Sequence, residues 1–375
     1  MSQSKSERYV RPLNELWDMW KPRVRMKTYP FTYASYEDME RVMSTIASYD
    51  RDAWAAAFSA VAKPYEIKAA QAEKEGDSQG AREGYLRAYQ YYRLARYPTT
   101  NSEGKRKAYR RSQEMLFKAS THFEVPIQRV EIPFKGRAGE GSLIVAYLRE
   151  PKVGTAPYPL LVSWGGIDGF KEEQLNDSAL ERGLGTLAID GPGVGDSPIK
   201  GSEDAERLFG AVFDWVATQK TLDARKVGIW GYSTGGYWAV KVAHVYNDRI
   251  ACAVSQGGPV HHAFEHEWIQ KQEKGEYPFE FFETIAYAFG LSTYEEWIEY
   301  APRLSLLSQG ILDKPSAPLL LVNGIHDSVF PIEDYYLLLQ HGSPKCARFY
   351  DAGHMGFTRD TFPTIMNWIA EELGK

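Results

Sequence analysis

The stretch Val227-Gly228-Ile229-Trp230-Gly231-Tyr232-Ser233-Thr234-Gly235-Gly236-Tyr237-Trp238-Ala239-Val240-Lys241-Val242-Ala243-His244-Val245-Tyr246 changes texture twice. Residues 227–230 form a short apolar run, which reads as a strand. Ala239, Val242, Ala243 and Tyr246 recur at helical spacing and mark a helix with one buried face. Between them lies G-x-S-x-G, Gly231 to Gly235. On a sharp strand-to-helix turn this pattern lifts the serine hydroxyl clear of the strand end. Bulky neighbours would clash in such a turn, so they are glycines. Ser233 also falls at a helix N-terminus, where free N–H groups favour developing negative charge.

Strands and helices alternate on both sides of this turn. Residues 130–134 and 143–148 read as two strands joined by a glycine-rich turn at 136–141. Further apolar runs fall at 160–164, 186–190, 250–254, 319–323 and 347–350. A polar helix is expected over 172–182, and Leu208, Ala211, Val212, Trp215 and Val216 space out another. Such alternation implies a mostly parallel sheet covered on both faces. Before Val125-Pro126 the pattern is helical instead. Tyr85, Ala88, Tyr89 and Tyr92 line one face of a helix over 80–97, and helix resumes over 112–120. Between two of the strands, residues 259–318 form an insertion rich in aromatics, including Phe264, Trp268, Phe279, Phe281, Phe282 and Trp297. An insertion of that length in a compact domain is usually functional, and a helical lid is expected.

A serine hydroxyl needs a base, and the base needs a group to orient it. Two strand-ending turns supply candidates. The run 319–327 ends in Asp327, and 349–354 ends in His354. The chain order serine, acid, histidine is that of the α/β-hydrolase fold, and sites of open α/β sheets lie past the C-terminal strand ends. His326 is a rival base and Asp351 a rival acid; both are read as loop residues. The oxyanion donors expected are the N–H groups of Thr234 and Ile167, with Gly166 a near rival to Ile167. Asp168 reads as a cap of the next helix. Asp190-Gly191-Pro192-Gly193-Val194-Gly195-Asp196-Ser197 has no P-loop lysine and reads as a tight turn.

The 375 residues carry 44 Lys and Arg against 49 Asp and Glu, a formal net charge of −5, which calls for neither nucleic acid nor an anionic membrane. The opening MSQSKSERYV has no apolar stretch of a secretory leader, and no run is apolar enough to cross a bilayer, so a cytoplasmic enzyme is expected. Cys252 and Cys346 read as two thiols. Metal-site spacings such as CxxC and HExxH are missing; His261, His262 and His266 read as pocket or surface residues, and no metal or cofactor is expected.

The segments Gly165-Gly166-Ile167-Asp168-Gly169-Phe170-Lys171-Glu172-Glu173, Asp190-Gly191-Pro192-Gly193 and 231–236 resemble the family of 2,6-dihydroxypseudooxynicotine hydrolase. That family also takes in fungal hydrolases that shorten pigment polyketides, and the FrsA-like proteins. The likeness runs over most of the chain and is firmest from about Pro126 onward. It implies an α/β-hydrolase core, residues 126–375 with the lid at about 259–318, and a separate helical domain, residues 1–125, that helps close the site as a wall of the cavity. It places the family's catalytic residues on Ser233, Asp327 and His354. The reaction it implies is cleavage of a carbon–carbon bond beside a ketone in an aryl or polyketide substrate. Plain ester hydrolysis is the second reading, and a binding protein on the same scaffold the third. A pocket glutamate of the family corresponds to Glu265, whose other reading is a solvated lid residue. A homodimer acting on a small molecule is the expected assembly.

Overall fold

The computed structural model describes residues 8–374 and divides the chain into two compact units, one of residues 8–127 with 278–280 and one of 128–277 with 281–374. The first seven residues of the expected helical domain lie outside the described residues.

The smaller unit is built of α1 (Leu13–Arg25), α2 (Tyr36–Thr45), α3 (Arg51–Lys74), α4 (Ser78–Arg96) and α5 (Glu103–Ser120). Side chains of Asp50, Asp77 and Ser102 accept hydrogen bonds from the first turns of α3, α4 and α5, which fixes where each helix starts. The expected face of α4 is buried: Tyr85, Ala88, Tyr89 and Tyr92 are all under a tenth exposed. Three α4 tyrosine hydroxyls are spent inside this unit, Tyr85 on Glu73, Tyr91 on Asp38 and Tyr92 on Glu66. Buried tyrosine needs such a partner, so packing accounts for the tyrosine richness without a ligand.

Residues 278–280 of the insertion belong to this unit. The Phe279 ring stands 4.7 Å from Tyr49, 4.8 Å from Trp54 and 5.5 Å from Tyr97. Glu280 takes Arg51 at 2.7 Å and the buried Lys105 at 3.2 Å. A single cut near residue 125 therefore does not separate the units.

The larger unit carries an eight-stranded sheet: β1 (Gln128–Pro133), β2 (Leu143–Arg149), β3 (Tyr158–Trp164), β4 (Gly185–Ile189), β5 (Leu222–Tyr232), β6 (Cys252–Gln256), β7 (Leu319–Gly324) and β8 (Cys346–Tyr350). Its order is β1-β2-β4-β3-β5-β6-β7-β8. β2 runs antiparallel to β1 and β4, and every other pair is parallel. β4 and β7 are buried at every residue, as parallel strands covered on both faces must be. The two cysteines are not joined by a disulfide.

One expected element is corrected. The helix over 172–182 is interrupted: a 3₁₀ turn covers Lys171–Glu173 and only Asp177–Leu180 (α6) is α-helical. Lys171 and Glu172 are drawn inward and buried, so this stretch does not present the solvated face of a polar surface helix. After β4 come α7 (Arg207–Val216) and, after β5, α8 (Thr234–Val245). The insertion is helical, with α9 (His266–Gln272), α10 (Phe281–Phe289) and α11 (Tyr294–Tyr300). Its aromatics in the larger unit pack on one another: Phe281 on Tyr277 and Phe282, Phe282 on Tyr294, Phe289 on Trp297. They join the main core that covers the sheet, a commoner use of aromatics than lining a pocket. α12 (Glu333–Gln340) and α13 (Thr361–Gly374) close the sequence of elements. No described helix is long and apolar enough to cross a membrane.

Candidate active site

Ser233 sits between β5 and α8 with φ 53° and ψ −129°. A side chain in that left-handed region is strained, and the neighbouring backbone must hold it there. Two contacts do so: Ser233 N–H donates to Gln256 O at the end of β6 (2.7 Å), and Gly236 N–H donates to Ser233 O (2.7 Å). A β-carbon on Gly231 would collide with the Gly235 carbonyl and one on Gly235 with the Gly165 carbonyl, which is the steric reason for the two glycines.

The structure brings Ser233, His354 and Asp327 into one chain of hydrogen bonds. Ser233 Oγ is 2.8 Å from His354 Nε2, and His354 Nδ1 is 2.8 Å from Asp327 Oδ2. The Asp327 side chain is fully buried and saturated. Its Oδ1 accepts from the Val329 and Phe330 N–H groups (2.8 and 2.9 Å), and its Oδ2 also accepts from Asn323 Nδ2 (2.9 Å). Asn323 Oδ1 in turn accepts from Met355 N–H at 2.9 Å. One amide thus braces the acid and the histidine loop together.

Burial alone would depress the His354 pKa; the Asp327 carboxylate, followed by Glu276 and Asp168, outweighs it and holds His354 above the ordinary histidine value. Nδ1–H directed at Asp327 leaves Nε2 to accept from the serine, the tautomer a general base requires. The rivals lie elsewhere and pair with each other: His326 Nε2 meets Asp351 Oδ1 at 2.8 Å, with both side chains well exposed.

The loop after β3 lies against Ser233. A β-carbon on Gly166 would stand 2.8 Å from Ser233 Cβ, 3.1 Å from Ser233 Oγ and 3.3 Å from Thr234 N. Gly169 N–H closes a turn onto Gly166 O (3.3 Å), while the Ile167 N–H has no acceptor among the described residues. The Ile167 side chain is buried in the main core.

Glu265 is not hydrogen-bonded to any of these groups. Its half-exposed carboxylate lies 3.2 Å from His262 Nδ1 and 3.6 Å from His261 Nε2. These three residues have ligand atoms within 4.8 Å of one another and are the group that could hold a metal ion among the described residues. His261 Nδ1 is engaged by Ser305 Oγ at 2.7 Å, and His266 pairs with Gln270 instead.

Two positions carry structure that no sequence motif signalled. Buried Asp334 accepts from the N–H groups of Val260 (2.7 Å), His261 (3.1 Å) and His262 (2.6 Å), and so anchors the start of the insertion. Burial pushes its carboxyl up to about 6. Glu276, within the insertion, accepts from His354 N–H (2.9 Å) and from the Ser328 N–H and Oγ (3.2 Å each). It ties the loop after β7 to the loop after β8, and with them the two segments that carry Asp327 and His354.

The fold is shared with known hydrolases. A crystal structure of the 2,6-dihydroxy-pseudo-oxynicotine hydrolase superposes with a TM-score of 0.73 at 23% identity, covering 90% of this chain and 93% of that one. Hydrolase ORFZ of Pyricularia oryzae is 30% identical over 242 residues, 59% of this chain and 56% of the relative. The 2,6-dihydropseudooxynicotine hydrolase of Paenarthrobacter nicotinovorans is 28% identical over 233 residues, 60% and 58% of the two chains. These matches span little more than half the length of the curated relatives. The family model described as "Esterase FrsA-like" matches residues 5–373, and the chain belongs to that family of α/β-hydrolase proteins.

Proposed function

We propose that the chain is a serine hydrolase working through an acyl-enzyme on a small-molecule substrate, with Ser233 as nucleophile, His354 as general base and Asp327 as its orienting acid. The observation that carries this reading is the unbroken relay from Ser233 Oγ through His354 to Asp327, with both links at 2.8 Å. Ser233 Oγ adds to the substrate carbonyl carbon while its proton passes to His354 Nε2. The oxyanion formed is held by the Thr234 and Ile167 N–H groups. Collapse breaks the bond to the leaving group, which takes the proton from His354. Water, deprotonated by His354, then adds to the acyl-serine; collapse breaks the bond to Ser233 Oγ, which takes the proton back from His354 as the acid leaves.

The preferred leaving group is a carbanion stabilised by an adjacent ketone, which makes the net reaction cleavage of a C–C bond in an aryl or polyketide β-dicarbonyl. Only a carbonyl placed to take up the electron pair as an enolate lets such a bond leave. Resemblance to the 2,6-dihydroxypseudooxynicotine hydrolase family supports this choice. The family model's esterase description favours a second reading, release of an alkoxide from a carboxylic ester by the same residues. Assaying p-nitrophenyl esters beside aryl and alkyl β-diketones separates them. Diketone cleavage above the ester rate supports the first reading; fast ester turnover with intact diketone reverses the order.

A further inference from the structure

Lys171 is fully buried, a place lysine takes only with partners. Its Nζ meets Asp196 Oδ2 at 2.6 Å, Asp190 Oδ2 at 2.9 Å and Glu172 Oε1 at 3.1 Å, and stands 5.2 Å from the centre of the Tyr147 ring. Its backbone N–H donates to Asp190 Oδ1 at 2.8 Å. Asp190 Oδ2 also accepts from Asp196 N–H (2.9 Å), and the Tyr147 hydroxyl donates to Glu172 Oε1 (2.7 Å). One ammonium therefore ties together three segments: strand β2, the loop after β3 and the loop after β4.

Stability is a weak reason for such a cluster. Desolvating the charges costs about what their attraction returns, and an apolar side chain of similar volume often serves as well. Here three carboxylates converge on the ammonium, so repulsion among them adds to the cost. The cluster does have a geometric consequence. Between the end of β3 and the 3₁₀ turn at Lys171–Glu173, residues 165–170 have no helix or strand to fix them. That segment holds Gly166, which lies against Ser233, and next to it Ile167, the proposed oxyanion donor. Oxyanion stabilisation depends on donors held in place before the charge develops.

We propose that Lys171 is a positioning residue: by clamping the loop after β3 to Asp190 and Asp196, it holds the Ile167 N–H where the oxyanion forms. The inference rests on the serine-hydrolase reading, and the test separates the two. Lys171→Met keeps the length of the side chain and removes its charge. Each protein is assayed on p-nitrophenyl acetate and with an aryl trifluoromethyl ketone. That ketone binds when Ser233 Oγ adds to its carbonyl carbon, His354 takes the serine proton, and the former carbonyl oxygen becomes an oxyanion in the hole. Measured below the melting temperature of the variant, kcat should fall by about 30-fold with KM within about threefold, and ketone affinity should fall in parallel. A clamp that serves folding alone would lower the melting temperature and leave kcat and ketone affinity unchanged, and that result overturns the proposal. If Lys171→Met does not fold, Asp196→Asn at the partly exposed rim of the cluster carries the test. A fall in kcat of about threefold to tenfold with matching loss of ketone affinity supports the clamp, and wild-type values overturn it. A wild-type protein that neither turns over esters nor binds the ketone would remove the hydrolase reading itself.

Discussion

The turn that carries Ser233 and the loop that carries His354 meet across one 2.8 Å hydrogen bond, yet they are held by different means. The serine turn is held mainly by close backbone approach to its neighbours. A β-carbon on Gly231 would meet the Gly235 carbonyl, one on Gly235 the Gly165 carbonyl after β3, and one on Gly236 the Gly258 backbone after β6, while Ser233 N–H donates to the end of β6. The histidine loop has little of its own to hold it. Its supports are Asp327 and Asn323 from the β7 end and Glu276 from the insertion, the last 78 positions away in sequence. Met355, next to the histidine, has φ 67°, so this loop too is strained, but its strain is held by distant partners. A serine set by close backbone packing should be disturbed by added volume beside it, whereas a histidine held by side-chain hydrogen bonds should be tunable through the charge of those partners.

The severest break in that comparison removes a reacting group. Ser233→Ala and His354→Ala should each fold normally and lose roughly 10⁴–10⁶ in kcat, as triad members acting as a unit do. A fluorophosphonate probe should label wild-type protein at Ser233 alone. Labelling at a different serine, or full activity in Ser233→Ala, would remove the proposed chemistry.

Asp327→Asn should cost roughly 10³–10⁴ in kcat, because an amide in place of the carboxylate no longer favours the needed histidine tautomer or the imidazolium. Asp351→Asn is the matched control, since Asp351 pairs with exposed His326 and such surface pairs contribute little. A silent Asp327→Asn beside a dead Asp351→Asn would reverse the assignment of the acid.

The same contrast explains what could be read from the sequence. Ser233 was legible because G-x-S-x-G, its strand and its helix are contiguous. Asp327 and His354 were legible because each ends an apolar run, and the eight runs of the sheet appear with shifts of a few residues at their ends. Glu276, Asn323 and Asp334 were not legible. Each acts on backbone or side-chain groups brought near by folding, and none sits in a local pattern that demands it. Lys171 was masked differently. A polar run reads as a solvated helix face, and only the contacts of its Nζ with buried Asp190 and with Asp196 show that its charge points inward. The Asp190–Asp196 pair flanking a tight glycine turn was the available signal, since two carboxylates so close to a core strand need a cation.

Gly166→Ala tests the serine side more gently. The added β-carbon would fall 2.8 Å from Ser233 Cβ, closer than real β-carbons approach, and a tight 3.1 Å from Oγ. The loop must then shift away from the nucleophile and carry the Ile167 N–H with it. A loss of about 100-fold in kcat is expected, comparable to removing one oxyanion donor, with little change in melting temperature. Activity within a few-fold of wild type would show that the loop does not contribute to the oxyanion site.

The smallest expected effect is on the histidine side and is read from pH rather than from maximal rate. Glu276 accepts three hydrogen bonds that bind the loop of His354 to that of Ser328. Its negative charge is also among the influences that raise the His354 pKa, after that of Asp327. His354 must be neutral to accept the serine proton, so the rate is lost as pH falls through that pKa. Glu276→Gln keeps an oxygen acceptor for the loop but removes the charge. The imidazolium is then less stabilised, its pKa drops, and the acid limb of kcat/KM against pH should move to lower pH. At the high-pH plateau the variant should stay within about threefold of wild type, and on the acid side it should be the faster enzyme. A role confined to bracing the loop would lower the plateau and leave the limb where it was. Glu265→Gln is the comparison that sharpens the result. Glu265 faces His261 and His262 rather than His354, so its charge should leave the limb in place and show only in KM if it contacts substrate. A limb that moves in Glu265→Gln and stands still in Glu276→Gln would mean that the insertion reaches the catalytic histidine through its first turn and not through Glu276.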